Sequence, residues 1–308
     1  MLKAILIVTL LSLNLQTTED AYTKFLGYQL VERGTVTKPL AQSWGAEKMV
    51  GQPYLLMQPE SQSKVLLRFI ESGHTNDYKP MLQEGWNAIE ILVKDPDLLA
   101  EQLQGSPFKM VGPPNFLTEK KNIRAFQALG PNNELLYFTR VIDPSKSNFD
   151  LGQAKSFVDQ VFIMVLGGKD MAAMQHFYRE KLMQPVSGPY PYRIGVLSQT
   201  YGMPNDTLHQ LAIASLPNQF LIEIDQYPPA AKSIDTMKGT LPPGIAMVSF
   251  QVDHLGDTRL PFITPPDHRD GFAYEGRRSA SLRGAAGELI ELIETPLLSF
   301  IPDENSQD

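Results

Sequence analysis

The sequence predicts an α+β protein made of four β-α-β-β-β modules, paired into two domains that each form an open, cup-shaped β-barrel with flanking helices. Two observations carry this. Strand-like runs and short amphipathic helices follow the same order twice along the chain. Matched landmarks also keep a nearly constant spacing: Tyr22 and Tyr178, Ala88 and Met247, and Tyr137 and Glu291 stand 156, 159 and 154 positions apart. A shift that steady marks a duplicated unit.

Each element has its own signal. Residues 5–13 are a continuous apolar run and read as a buried strand. Thr17 or Thr18 caps a helix whose apolar positions Ala21, Tyr22, Phe25 and Leu26 recur at helical spacing, and Gly27 ends it. Strands over 28–31, 54–57 and 65–70 complete the first module. The second module opens at Trp86 with a strand over 88–93, and Asp95-Pro96-Asp97 starts its helix over 98–103. Its later strands, 124–129 and 134–138, flank the turn Gly130-Pro131-Asn132-Asn133. Residues 143–153 are polar, carry Pro144 and Gly152, and read as the linker between a domain over 1–142 and a domain over 154–308.

The second half repeats the plan with a strand over 160–165, a helix over 171–182, and strands over 208–215, 220–224 and 246–252. It closes on Gly284-Ala285-Ala286-Gly287 and a strand in which Glu291 shares a face with Leu289 and Ile293. Ile290 and Leu292 point the other way, so both faces are apolar and the Glu291 carboxylate needs a partner. Two roles are open for it: a place in a functional site, or a structural bond to backbone amides or to an arginine such as Arg283.

Composition narrows the functional classes. The 308 residues carry a formal charge of −7 with no cluster of lysine or arginine, which excludes a nucleic-acid partner. No run of about 20 apolar residues is present, so no membrane partner is expected. The apolar start behind Lys3 has the front of a secretion signal but no small-x-small cleavage site after it. It therefore reads as a first strand, and the protein as cytoplasmic. Cysteine is absent, which removes disulfides, thiolate metal sites and a cysteine nucleophile.

The run Ile7 to Tyr28 (IVTLLSLNLQTTEDAYTKFLGY) and the helix Asp170 to Leu182 (DMAAMQHFYREKL) resemble the strand-helix-Leu-Gly opening of the vicinal oxygen chelate superfamily, which includes glyoxalases, extradiol dioxygenases and bleomycin-resistance proteins. The resemblance implies two glyoxalase-like domains, each an open cup. It implies metal ligands at the start of each module's first strand and near the end of its last. Carried over, these positions are Ile7, Arg68, Ala88 and Tyr137 in the first domain, which form no ligand set. In the second they are Gln160, Glu223, Met247 and Glu291. Some glyoxalase I enzymes place Gln, Glu, His and Glu there, so Gln160, Glu223 and Glu291 resemble that set with Met247 in place of the histidine. The extradiol dioxygenases use two histidines and a glutamate, and Gln160 and Met247 stand where those histidines would be, which disfavours ring cleavage.

Two carboxylates and an amide suit one divalent ion, with Mn, Mg, Ni or Zn as the candidates. Without a metal, Glu223 and Glu291 would act as a carboxylate pair, one raised in pKa by the other. His209, on a strand lining the second cup, is a candidate general base. The long loop holding His268, Tyr274 and Arg277 has the composition of a lid that supplies a cation and a ring to a polar ligand, and Tyr192 is placed to wall the pocket. The expected function is a lyase or isomerase acting on a small organic substrate in the C-terminal cup. A non-catalytic small-molecule binding or resistance protein is the alternative, and a homodimer is compatible with either.

Overall fold

The computed structural model describes residues 2–73, 78–234, 238–256 and 259–295, so His74 lies outside the described residues. Its strands form two eight-stranded sheets. The first module contributes β1 (Leu2–Ser12), β2 (Gln29–Thr35), β3 (Pro53–Gln58) and β4 (Leu66–Glu71). The second contributes β5 (Gly85–Val93), β6 (Lys109–Phe116), β7 (Ile123–Leu129) and β8 (Leu135–Val141). The third contributes β9 (Val158–Gly168), β10 (Val186–Arg193), β11 (Leu208–Leu216) and β12 (Phe220–Gln226). The fourth contributes β13 (Ile245–Val252), β14 (Asp267–His268), β15 (Arg278–Arg283) and β16 (Leu289–Glu294). The helices are α1 (Leu15–Leu26), α2 (Lys38–Ser43), α3 (Pro96–Gln102), α4 (Met171–His176) and α5 (Gly195–Thr200).

Within each module the first strand runs parallel to the last and antiparallel to the first strand of another module. Which modules meet differs from the expected pairing inside each half. The first sheet has the order β14-β15-β16-β13-β1-β4-β3-β2, joining modules one and four. The second, β10-β11-β12-β9-β5-β8-β7-β6, joins modules two and three. The segment 143–153 therefore connects β8 to β9 within one sheet, and its Leu151 is buried in the core. The physical reason is that a first strand presents an open edge of backbone donors and acceptors, and any other module's first strand satisfies it equally well.

Side-chain alternation sorts the first sheet into two apolar layers. Val8, Leu10, Leu67, Phe69, Val248, Phe250, Ile290 and Leu292 join the large core that also contains the second sheet. Ile7, Leu11, Leu56, Leu66, Ile70, Met247, Leu289 and Ile293 face the opposite way into a smaller cluster with Trp44 and Tyr274.

Two equivalent clamps fasten the sheets. Asn14, rather than Thr17 or Thr18, caps α1 by accepting from the Thr17 amide, and Gly27 closes the helix with φ at 69°. The Tyr22 hydroxyl on this helix donates 2.7 Å to Glu134, at the head of β8 in the other sheet. Its counterpart Tyr178, in the π turn that continues α4, donates 3.1 Å to Glu288, at the head of β16. Each glutamate folds back under its own turn and accepts from the Asn132 or Ala286 amide at 2.8 Å. That is why a glycine opens each turn: a Cβ on Gly130 or Gly284 would lie 2.2 or 1.9 Å from the glutamate oxygen. Burial pushes both carboxyls up to about 7.

Candidate functional site

The concave face of the first sheet is filled. Glu291 sits there as expected from its strand pattern, but among structural partners. It accepts from Ser249 Oγ at 2.6 Å, from Trp44 Nε1 at 3.2 Å and from the Tyr274 hydroxyl at 3.0 Å. Arg68 donates to the same Tyr274 hydroxyl at 2.9 Å, and its guanidinium lies over the rings of Trp44, Tyr274 and Tyr54. The arginine facing Glu291 is therefore Arg68; Arg283 bonds the Gly287 carbonyl at the surface. Thr9, Ser249, Ser279, Ser281 and Glu291 are each 0% exposed, so this cup leaves no room for a ligand beside the carboxylate.

The loop expected to be a lid is the plug. Its ring, Tyr274, is buried in the cup, and Arg277 staples the loop to itself through the Ala273 and Tyr274 carbonyls. His268 is exposed on β14, with Nδ1 2.6 Å from the Gly276 carbonyl oxygen. None of these three faces Glu223, which belongs to the other sheet.

The expected metal set is likewise not brought together. Glu291 is on the first sheet and Glu223 on the second. Gln160 is hydrogen-bonded to Ser63, in the turn before β4, so it serves the junction between sheets. Among the described residues no group of three His, Cys, Asp or Glu is placed to hold a metal ion. These donors do not fit the divalent ion that the resemblance implied.

Register shows where the positions went. The first-strand partners of Arg68, Tyr137, Glu223 and Glu291 are Thr9, Glu90, Val165 and Ser249. They lie two residues beyond Ile7, Ala88 and Met247, and five beyond Gln160. A two-residue offset keeps the face of a strand, whereas five reverses it.

The corresponding cup of the second sheet carries a cluster of carboxyls that solvent reaches in part. Glu90 on β5, Tyr137 on β8, and Glu223 and Asp225 on β12 act electrostatically on one another, with Tyr192 on β10 beside the two glutamates. Thr139 donates 3.1 Å to Glu90. Burial pushes Glu90 up to about 8, helped by the Glu223 charge, and pushes Glu223 to about 7. Asp225 is raised well above the usual carboxylate range by burial and by both glutamates. It meets the Glu223 carboxyl, a contact that requires a shared proton.

Solvent reaches this cup from its rim. Glu223, Tyr137 and Gln127 are half-buried, while Tyr192 is 41% exposed. The Tyr192 hydroxyl donates 3.0 Å to the Leu117 carbonyl beyond β6, so it spans from one edge strand of the sheet to the other above the glutamates. His209 pairs with Tyr192 across β10 and β11. Its Nε2 is 2.9 Å from Ser198 Oγ on α5, and burial lowers its pKa. Of the residues singled out in the sequence, Glu223, Tyr192 and His209 lie on this face of the second sheet, beside Glu90, Tyr137 and Asp225, which were not named there as site residues. The missed signal was a carboxylate inside an apolar strand, the same signal that drew attention to Glu291.

No family model matches the sequence, and no curated relative matches it. Solved structures do. Maize (Zea mays) glyoxalase I superimposes with a TM-score of 0.61 at 13% identity, over 94% of this chain and 92% of that one. A Bacillus subtilis protein described as a candidate dioxygenase superimposes with a TM-score of 0.58 at 10% identity, over 96% and 86%. At such identities the likeness establishes fold and not chemistry. Over nearly its whole extent the chain shares the fold of these structures, the fold that the resemblance to the vicinal oxygen chelate superfamily in its two-domain, four-module form implied.

Proposed function

We propose that the cup of the second sheet binds a small organic molecule and that Glu90 and Glu223 move a proton on it, a reaction of the lyase or isomerase class. The observation that carries this is a pair of interacting glutamates, set on the two strands that flank β9 and both raised by burial above the usual carboxylate range. Near neutral pH such a pair shares its protons, so one carboxyl donates while the other accepts. Tyr137 and Tyr192 would wall the bound molecule, and His209, held by Ser198, would position β11 and Tyr192 rather than move the proton. The donors for a metal do not assemble among the described residues, so the two carboxyls themselves carry the proton.

Hydrogen exchange tests this reading. Small carbonyl compounds are incubated with the protein in D2O and their carbon-bound hydrogens followed by NMR. Exchange that is lost in Glu90→Gln and Glu223→Gln is the expected result. Compounds that bind in the cup without exchange in any of the panel would replace catalysis with sequestration.

A further inference from the structure

The two cups are built on one frame, and the frame shows what the cup of the second sheet lacks. Arg68 in module one and Glu223 in module three hold the same register position, each between a first-strand residue (Thr9, Val165) and a third-strand residue (Leu56, Ile213). Glu291 and Tyr137 correspond in the same way, beside Ser249 and Glu90. In the filled cup a guanidinium lies over three rings and faces a carboxylate through the Tyr274 hydroxyl. The cup of the second sheet has the rings and an excess of carboxyls. The charged groups acting on Glu90, Glu223 and Asp225 are one another, and none is a cation.

Asp225 adds an independent sign. It is 0% exposed, no N–H or O–H donor of the protein reaches either of its oxygens, and its close polar contact is the Glu223 carboxyl, with which it has only a proton to share. A buried carboxyl in that condition is costly unless a donor arrives from outside.

We propose that the cup of the second sheet takes a small organic cation: an ammonium or guanidinium head among Glu90, Glu223 and Asp225, carried on an apolar body that lies against Tyr137 and Tyr192. The location rests on the reading given under Proposed function; the charge of the ligand goes beyond it. An organic cation is favoured over a bare metal ion because the carboxyls do not converge with ligand geometry while aromatic faces line the approach.

The test is calorimetric titration of the full chain with a panel of aryl and alkyl amines and amidines, phenethylamine and benzamidine among them, against their neutral isosteres phenethyl alcohol and benzamide. Manganese and magnesium chloride are titrated alone. At least one cationic probe should bind tenfold or more tightly than its isostere. Glu223→Gln, at a half-buried position that tolerates an amide, should remove most of that preference, and so should Asp225→Asn if it folds. Equal binding of charged and neutral probes would overturn the cation proposal and leave the site standing. No binding of any probe would overturn the cation proposal and count against the site as well. Tight binding of manganese or magnesium with none of the amines would replace the organic cation with a metal.

Discussion

Replacing Arg68 with methionine tests whether the filled cup is structural. The substitution keeps an unbranched side chain against Trp44 and Tyr274 but removes the cation facing Glu291. Three neutral donors would remain on the carboxylate, from Ser249, Trp44 and Tyr274. They soften the loss without supplying charge. Breaking a buried pair of this kind costs about 3–5 kcal/mol, and stacking of the desolvated guanidinium on the rings is a separate contribution of about 2 kcal/mol. Against a total stability of about 5–15 kcal/mol, and with a urea slope of about 3 kcal/mol/M, the midpoint should fall by more than about 1 M. Adding Glu291→Gln should recover most of the loss, since the orphaned charge goes with its partner. Urea unfolding of the wild type, both single variants and the double variant gives the coupling directly. Single variants that cost less than about 1 kcal/mol, or a double variant as weak as the two losses added together, would refute the description of this cup.

Three further outcomes follow from the same physics. Glu134 and Glu288 are raised from 4.5 to about 7 by burial, so the folded state holds protons that the unfolded state releases. Stability should therefore fall as pH rises from about 5 to 8, by up to about 3 kcal/mol for each group, and Glu134→Gln should flatten that slope in unfolding measured across the range. In carbon NMR titrations Glu90 should titrate near 8, and Glu223→Gln should lower it, because the neighbouring negative charge is part of what raises it; an unmoved Glu90 would mean the two do not interact. Gly167→Ala should destabilise the second sheet, since its Cβ would fall 2.1 Å from the Tyr227 ring, and a melting temperature equal to wild type would contradict that packing.

Much of this architecture was legible because it is written in local pattern. The apolar run after Lys3, the stop at Gly27 and the helix start at Asp95 each announce an element through side-chain period or backbone preference. The repeated turns before Glu134 and Glu288 were visible as aligned quartets, and their fourth residues, Asn133 and Gly287, both adopt positive φ. What pattern does not encode is which open strand edge finds which. β1 and β9 are equally apolar, so nothing local says that β1 meets β13 while β9 meets β5. That gap displaced the candidate site: Glu291 was grouped with Glu223, although each belongs to a different sheet. Glu90 lies in the middle of β5, away from the strand-start positions that the resemblance marks.

The crossing of strands between halves has a consequence for the chain's integrity. Scission at 143–153 would give two fragments, neither owning a complete sheet, since β1 loses β13 and β5 loses β9. Each fragment would hold two raw edges, β1 and β5 or β9 and β13, left to pair with each other, to associate with another copy or to precipitate. Made together in one cell, the fragments should recombine into the native assembly, so the covalent link between the halves should be dispensable while their mutual presence is not.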